Sequence, residues 1–181
     1  AQMDEATLNV ALGKLEESEL IFRTGTPPHV SYVFKHALVR DVAYESLLKT
    51  RRREFHRRIF DVFETDPAIA AELTAHHATE AAMTEKAVVL WGQAGSAAQA
   101  RPAYEEAVNH LRMALSEVSS LTDDPLWRER EVRYLVQLAQ VYMAKEGYAS
   151  TEASGVFVQA MEHIDVIDDA ELRVAIYYGI W

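Results

Sequence analysis

At residues 32–48 the sequence "YVFKHALVRDVAYESLL" changes its period. Up to Phe34 the side chains alternate, with Val30, Tyr32 and Phe34 on one side and Ser31, Val33 and Lys35 on the other. Alternation is the mark of a half-buried strand. From Ala37 to the end of the chain, apolar residues instead recur three and four apart, and everything reads helical. The sheet content is thereby confined to the residues before the seam. There, "ELIFRTGTPPHVSYVFKH" sets Gly25, Pro27 and Pro28 between β-branched and aromatic residues, which predicts a β-hairpin with its tip at 26–29. Residues 4–18, "DEATLNVALGKLEES", place Leu8, Ala11, Leu12 and Leu15 on one helical stripe. Helix, hairpin, helix is the order of the back half of a winged-helix unit, here residues 1–50.

In the helical remainder, Leu38, Val39, Val42, Ala43 and Leu47 form one apolar stripe, and Phe55, Ile59, Val62 and Phe63 form a second. Asp66-Pro67 predicts an N-cap with proline at the first helical position. Thr84 is the expected cap of the next helix, and Pro102 opens the one after it. "TDDP" precedes a long helix over 126–146, "EGYAST" interrupts again, and a last helix runs from about Asp168. Trp91 and Gly95 on one helix, followed by Tyr104, Ala107, Leu111 and Ala114 on the next, resemble the tetratricopeptide pattern of large and small residues at a close helix crossing. Leu135, Leu138, Ala139 and Tyr142, then Ala153, Phe157 and Ala160, form a looser second copy. The expected fold is mostly α: a partial winged helix with one β-hairpin, followed by a TPR-like α-helical solenoid. Residues 51–83 would be linking helices and 84–181 the repeats.

Composition excludes several classes of function. The chain has 181 residues, 49% apolar and 25% charged, and no cysteine, so disulfides and thiolate chemistry are out. No run approaches the roughly 20 apolar residues of a membrane span, and "AQMDEATLNV" lacks the basic-then-apolar order of a signal peptide. A cytoplasmic location without membrane contact is expected, and both ends read as cut from something longer. The net charge of −10 is uneven. Residues 1–103 carry 14 acidic against 12 basic side chains, and residues 104–181 carry 14 against 6. The second half is a poor match for nucleic-acid phosphates.

Seven histidines invite a metal reading. Glu72, His76 and Glu80 fall on one helix face with His77 adjacent, but no closed zinc pattern is present. One of His76 and His77 is expected to pack in the core behind Leu73, and no metal site is expected. The chain has no G-x-S-x-G, no G-x-x-x-x-G-K-[ST] and no G-x-G-x-x-G, so no catalytic residues are assigned. Asp123-Asp124 and Asp168-Asp169 sit at expected helix starts, where carboxylates favour the helix dipole. The run "KTRRREFHRR", residues 49–58, holds six basic residues against one glutamate. Its Arg51, Arg52, Arg53, Arg57 and Arg58 could face solvent, another domain or phosphates. Against DNA, the helix ahead of the hairpin offers only Lys14 and Asn9 among acidic neighbours. His36 stands at the seam itself, where packing, capping and sensing remain open.

"FKHALVRDVAYESLL", "RRREFHRRI" and "LTAHHATEA" together resemble the region after the nucleotide-binding domain of bacterial STAND ATPases. These are signalling P-loop NTPases, often fused to class III adenylate or guanylate cyclase domains or to LuxR-type DNA-binding domains. The resemblance covers essentially the whole chain. It implies an upstream ATPase domain that binds ATP or ADP, with no cofactor held by this chain. It also implies a helical array that takes a protein, peptide or small-molecule inducer. In the wider class a Met-His-Asp motif contacts the β-phosphate of ADP; Lys35, His36 and Ala37 align with it. The resemblance thus makes His36 a nucleotide sensor, while lysine and alanine stand where the motif has methionine and aspartate.

Overall fold

The computed structural model describes residues 4–26, 29–121 and 124–180. Pro27 and Pro28 of the hairpin tip, Asp123, and Trp181 lie outside the described residues. The chain is mostly helical with one β-hairpin, and it divides into two compact units, residues 1–52 and 53–181.

The first unit opens with α1 (Glu5–Glu17), capped by Asp4, whose carboxylate accepts from the Thr7 N–H at 2.8 Å. Strands β1 (Ile21–Thr26) and β2 (His29–Phe34) pair antiparallel from Ile21 opposite Phe34 to Thr26 opposite His29. Gly25, with φ of 85°, occupies the left-handed region that a side chain would resist, at the approach to the tip. Helix α2 (Ala37–Glu45) follows the seam. Among the described residues of this unit only Ile21 is fully buried. Leu8 and Val10 of α1 and Leu38 and Val42 of α2 are exposed, so each helix carries an apolar face without cover.

From α4 (Ala71–Glu80) onward the second unit is a row of helices, each packed on the next. The unit takes in the part of α3 (Lys49–Phe63) from Arg53 onward, α4, α5 (Thr84–Ala100) and α6 (Tyr104–Val118). These are followed by α7 (Pro125–Glu146), α8 (Thr151–Met161), a 3-10 turn at Ile164–Val166, and α9 (Ala170–Ile180). Loops of a few residues between α4, α5 and α6 force neighbouring helices to run antiparallel. One core joins Phe60 of α3 to Ala75 and Ala78 of α4, Ala87, Trp91 and Ala94 of α5, and Ala114 of α6. A larger one runs from Ala98 and Leu111 through Leu135, Ala139 and Tyr142 to Phe157, Leu172 and Ile176. The helices of residues 53–83 therefore share a core with the helices that follow.

Local chemistry fixes the ends. Asp124 caps α7 by accepting from the Leu126 N–H, with Pro125 at the first helical position. Ser150 caps α8 through the Ala153 N–H.

Several expectations need correction. The helix expected from Pro67 begins at Ala71, because Asp66 accepts from the Ala68 N–H at 2.9 Å and closes a local turn instead. Thr84 lies inside α5 and makes no capping bond; the preceding Met83 occupies the cap position. Pro102 precedes the start of α6 at Tyr104 by two residues. On α3 the buried face is His56 and Phe60, whereas Phe55, Ile59 and Val62 are exposed. The buried residues of α4 are Thr74, Ala75 and Ala78, with Leu73 and His76 exposed and His77 half-buried. Small residues there let α5 come close, so the face with less apolar bulk is the buried one.

Phe60 is fully enclosed, so Phe60→Ala removes packing atoms and leaves a cavity. A loss of about 3–5 kcal/mol is expected, against a change within about 0.5 kcal/mol for exposed Val62→Ala. Urea unfolding midpoints of the two variants measure the difference.

Candidate functional site

In the first unit the strand ends at Phe34 and the helix begins at Ala37, leaving His36 at the N-cap. Its carbonyl accepts from the N–H groups of Val39 and Arg40, at 3.1 and 3.3 Å. Its imidazole makes no capping bond and is exposed. Neither capping nor core packing therefore accounts for the side chain. The neighbouring Lys35 is tied down: its Nζ bonds Glu19 at 2.8 Å and lies 5.5 Å from the centre of the Phe22 ring. That lysine holds the Glu19 carboxyl below its ordinary value by a hydrogen bond and by its charge.

The arginines of α3 do not form one uniform patch. Arg51, Arg53, Arg57 and Arg58 are exposed, and Arg58 bonds Glu54 one turn back at 2.6 Å. Arg52 is half-buried, with its guanidinium 5.0 Å from the Tyr44 ring centre and its Nε buried without a hydrogen bond.

In the second unit Trp91, Gly95 and the α6 residues singled out by spacing lie at one helix crossing. Trp91 donates from Nε1 to Thr79 Oγ1 at 3.0 Å, and Thr79 donates in turn to Glu117 at 2.8 Å. The indole stacks on His110 with centroids 5.4 Å apart, and His110 lies 3.5 Å from Glu72. Trp91 thus ties α5 to both α4 and α6. A Cβ on Gly95 would fall 2.7 Å from Leu111 Cγ, which is why the close crossing of α5 and α6 takes glycine. Leu111, Ala107 and Ala114 are fully buried, and Tyr104 is half-buried at the start of α6. The sequence pattern did not find Thr79, His110 or Glu117, since a polar residue on a helix carries no periodic signal of its contacts.

Helix α5 also meets α7. Tyr134 donates to the Val88 carbonyl at 3.1 Å, and burial raises its phenol above the ordinary range. Gln137 donates to Ser96 at 2.9 Å and Gln99 at 3.0 Å. Near the start of α7 lies an open cleft of about 370 Å³. Val89, Leu90 and Gln93 line one wall and Trp127 the other, with the Lys86–Glu64 pair at the rim. The Trp127 ring carries the Arg130 guanidinium 5.3 Å from its centre. An apolar wall with a few polar groups suits recognition of a ligand side chain.

A cluster that the spacing did not show gathers His56 of α3 with His76 and His77 of α4. The Nδ1 atoms of His56 and His77 are 2.8 Å apart, and the three ring centroids lie 5.0–5.8 Å from one another. Among the described residues no group of three or more His, Cys, Asp or Glu is placed to hold a metal ion. No helix there is long and apolar enough to cross a membrane.

No family model matches the chain, and no solved structure matches it. An uncharacterized protein of Rhizobium meliloti (strain 1021) is 26% identical over 183 residues. The match takes in 98% of this chain and 18% of that relative, so the chain spans under a fifth of the relative's length.

Gly95→Val puts branched carbon where Leu111 already sits. A loss of about 1–3 kcal/mol is expected from overpacking, read as a lower urea midpoint. Trp91→Phe keeps a ring over His110 but removes the donor to Thr79, for a loss of about 0.5–1.5 kcal/mol beyond the change in packing. A Thr79→Val partner closes the double-mutant cycle that isolates that bond.

Proposed function

We propose that this chain is a non-catalytic regulatory and interaction region of a larger signalling ATPase of the STAND type. In this reading the hairpin unit relays the state of an ATP- or ADP-binding P-loop domain, and the helical array takes a partner protein, peptide or small inducer. The observation that carries the reading is His36. Its imidazole stands exposed at a strand–helix seam and has no capping bond of its own. A neutral imidazole has one N–H to donate to a phosphate oxygen, and both nitrogens donate when it is protonated. The bare faces of α1 and α2 support the reading, because a neighbouring domain would cover them. So does the relative, most of whose length lies outside the matched region.

The array's part in the reading falls to the cleft between α5 and α7. Stacked antiparallel helices form extended surfaces suited to peptides and proteins. Val89, Leu90 and Trp127 supply the apolar contact and Gln93 the polar one. The winged-helix and TPR-like labels belong to this same proposal.

Exposed Arg53 and Arg57 favour a second reading, a DNA-binding fragment in which α3 tracks phosphates. It is the weaker account, since Arg58 is already paired with Glu54 and the chain as a whole carries −10. Duplex affinity that falls steeply with salt would favour it over the regulatory reading.

The test uses the longer protein encoded around this chain. Its reading frame is expected to contain G-x-x-x-x-G-K-[ST] upstream, and His36→Ala is expected to speed release of a fluorescent ADP analogue roughly tenfold. That factor corresponds to about 1.4 kcal/mol for one lost phosphate hydrogen bond. An unchanged release rate, or a frame without the loop, defeats the proposal.

A further inference from the structure

We propose that His56 and His77 form a proton-sensitive latch between α3 and α4, closed when the pair carries no more than one added proton and opened by the second. This inference does not rest on the regulatory reading above. It rests on the geometry of two side chains from different helices whose Nδ1 atoms face each other at 2.8 Å.

A contact of that length between two ring nitrogens needs one hydrogen in the gap. A neutral pair supplies it when one ring carries its proton on Nδ1 and the other on Nε2. A singly charged pair supplies it as well, with the imidazolium donating to the bare Nδ1 of its neighbour. A doubly charged pair sets two N–H groups and two positive charges against each other, and the contact has to break. The surroundings make breaking consequential. His56 is 8% exposed, the edge of Phe63 packs on the His77 ring at 5.2 Å, and Phe60, one turn beyond His56, is fully enclosed.

The groups that act on the pair come from three helices. On α4, His76 opposes protonation of both His56 and His77, while the Glu80 carboxylate favours it. On α3, Arg52 and Arg53 stand one turn before His56. From α5, Lys86 reaches α3 at the Phe60 ring and at Glu64, one and two turns past His56. Burial is the largest influence and lowers both imidazoles below the ordinary 6.5, outweighing Glu80. The sign follows from linkage. Groups whose pKa is lower in the folded state take up protons on opening, so the closed form is favoured above about pH 6.5 and loses ground as pH falls below it.

The latch sits on the helix that begins in the first compact unit and ends in the second. Release of α3 from α4 would therefore loosen the start of the helical row while its larger core, built from α5 to α9, stays packed.

The test is amide hydrogen exchange of α3 and α4 in this chain between pH 8 and 5, corrected for intrinsic exchange and run with a chelator present. Wild type is expected to lose protection below about pH 6.5, by up to roughly tenfold per pH unit for each proton taken up. His77→Asn keeps a donor and an acceptor at that position without titrating, and is expected to flatten the slope. His36→Asn, at an exposed ring outside α3 and α4, is expected to leave it. A slope that survives in His77→Asn overturns the proposal. Should that variant fail to fold, ring 15N titration of the wild type decides. Two coupled steps, with exchange rising on the second, support the latch; two independent imidazoles titrating near 6.5 overturn it.

Discussion

The second unit depends on how near α5 can come to its neighbours. Ala87, Ala94, Gly95 and Ala98 give α5 a surface with little bulk, and all four are buried. Leu111 of α6 fills the space over Gly95, while Phe60 of α3 and the alanines of α4 close the other side. Dispersion falls off steeply with distance, so small residues at a crossing yield more contact than large ones that hold two helices apart. Trp91 then adds direction. Its N–H selects Thr79, Thr79 selects Glu117, and the register of α4 against α6 is set by a chain of two hydrogen bonds. Packing alone would tolerate a slide along the helices; this chain of bonds does not.

That same close approach decides which face of α3 turns inward. The helix has apolar residues at 55, 59, 60, 62 and 63, enough for two overlapping stripes. Phe55, Ile59 and Val62 are more numerous than Phe60, yet Phe60 is the side chain enclosed. The outcome follows from α4, whose Ala75 and Ala78 offer a shallow surface into which one large ring fits. His56 lies one turn before Phe60 and is carried inward with it. A buried histidine then needs a partner, and His77 lies within reach.

What was legible in the sequence is what periodicity encodes. The hairpin, the helix boundaries at "TDDP" and "EGYAST", and the pairing of Trp91, Gly95, Ala107 and Leu111 all depend on spacing and on turn chemistry. The structure places these residues as those signals indicate. What could not be read depends on a second element. Asp66 is as good a helix cap as a turn former, and only the local bond to Ala68 settles the choice. The orientation of α3 required the shape of α4. The candidate site divided the same way: Gly95 and Leu111 meet at positions that spacing singles out, whereas Thr79, His110, Glu117 and His56 belong to contacts across helices that no spacing announces. His36 is a third case, since the seam that singles it out is visible in the sequence while its exposure is not.

The charge asymmetry of the chain acquires a structural meaning from its cations. Residues 104–181 contain six basic side chains, and five of them are engaged within the fold. Arg112 donates to Tyr142 at 2.7 Å, linking α6 to α7. Arg133 joins Glu129 on its own helix to Asp169 ahead of α9, at 2.6 Å each, and Lys145 joins Glu105 to Glu146. Arg128 lies 3.7 Å from Glu131, and Arg130 rests on Trp127. The Asp169 carboxyl is held below its ordinary 3.8 by the Leu172 N–H and by Arg133, so its contribution is present above that value and fades as pH falls through the lowered one. Arg128 and Arg130 make their contacts within α7, while Arg112, Arg133 and Lys145 reach from one element to another. The exposed Arg53 and Arg57 of α3 belong to the same second unit, so the cations of that unit divide between structural contacts within the fold and open surface.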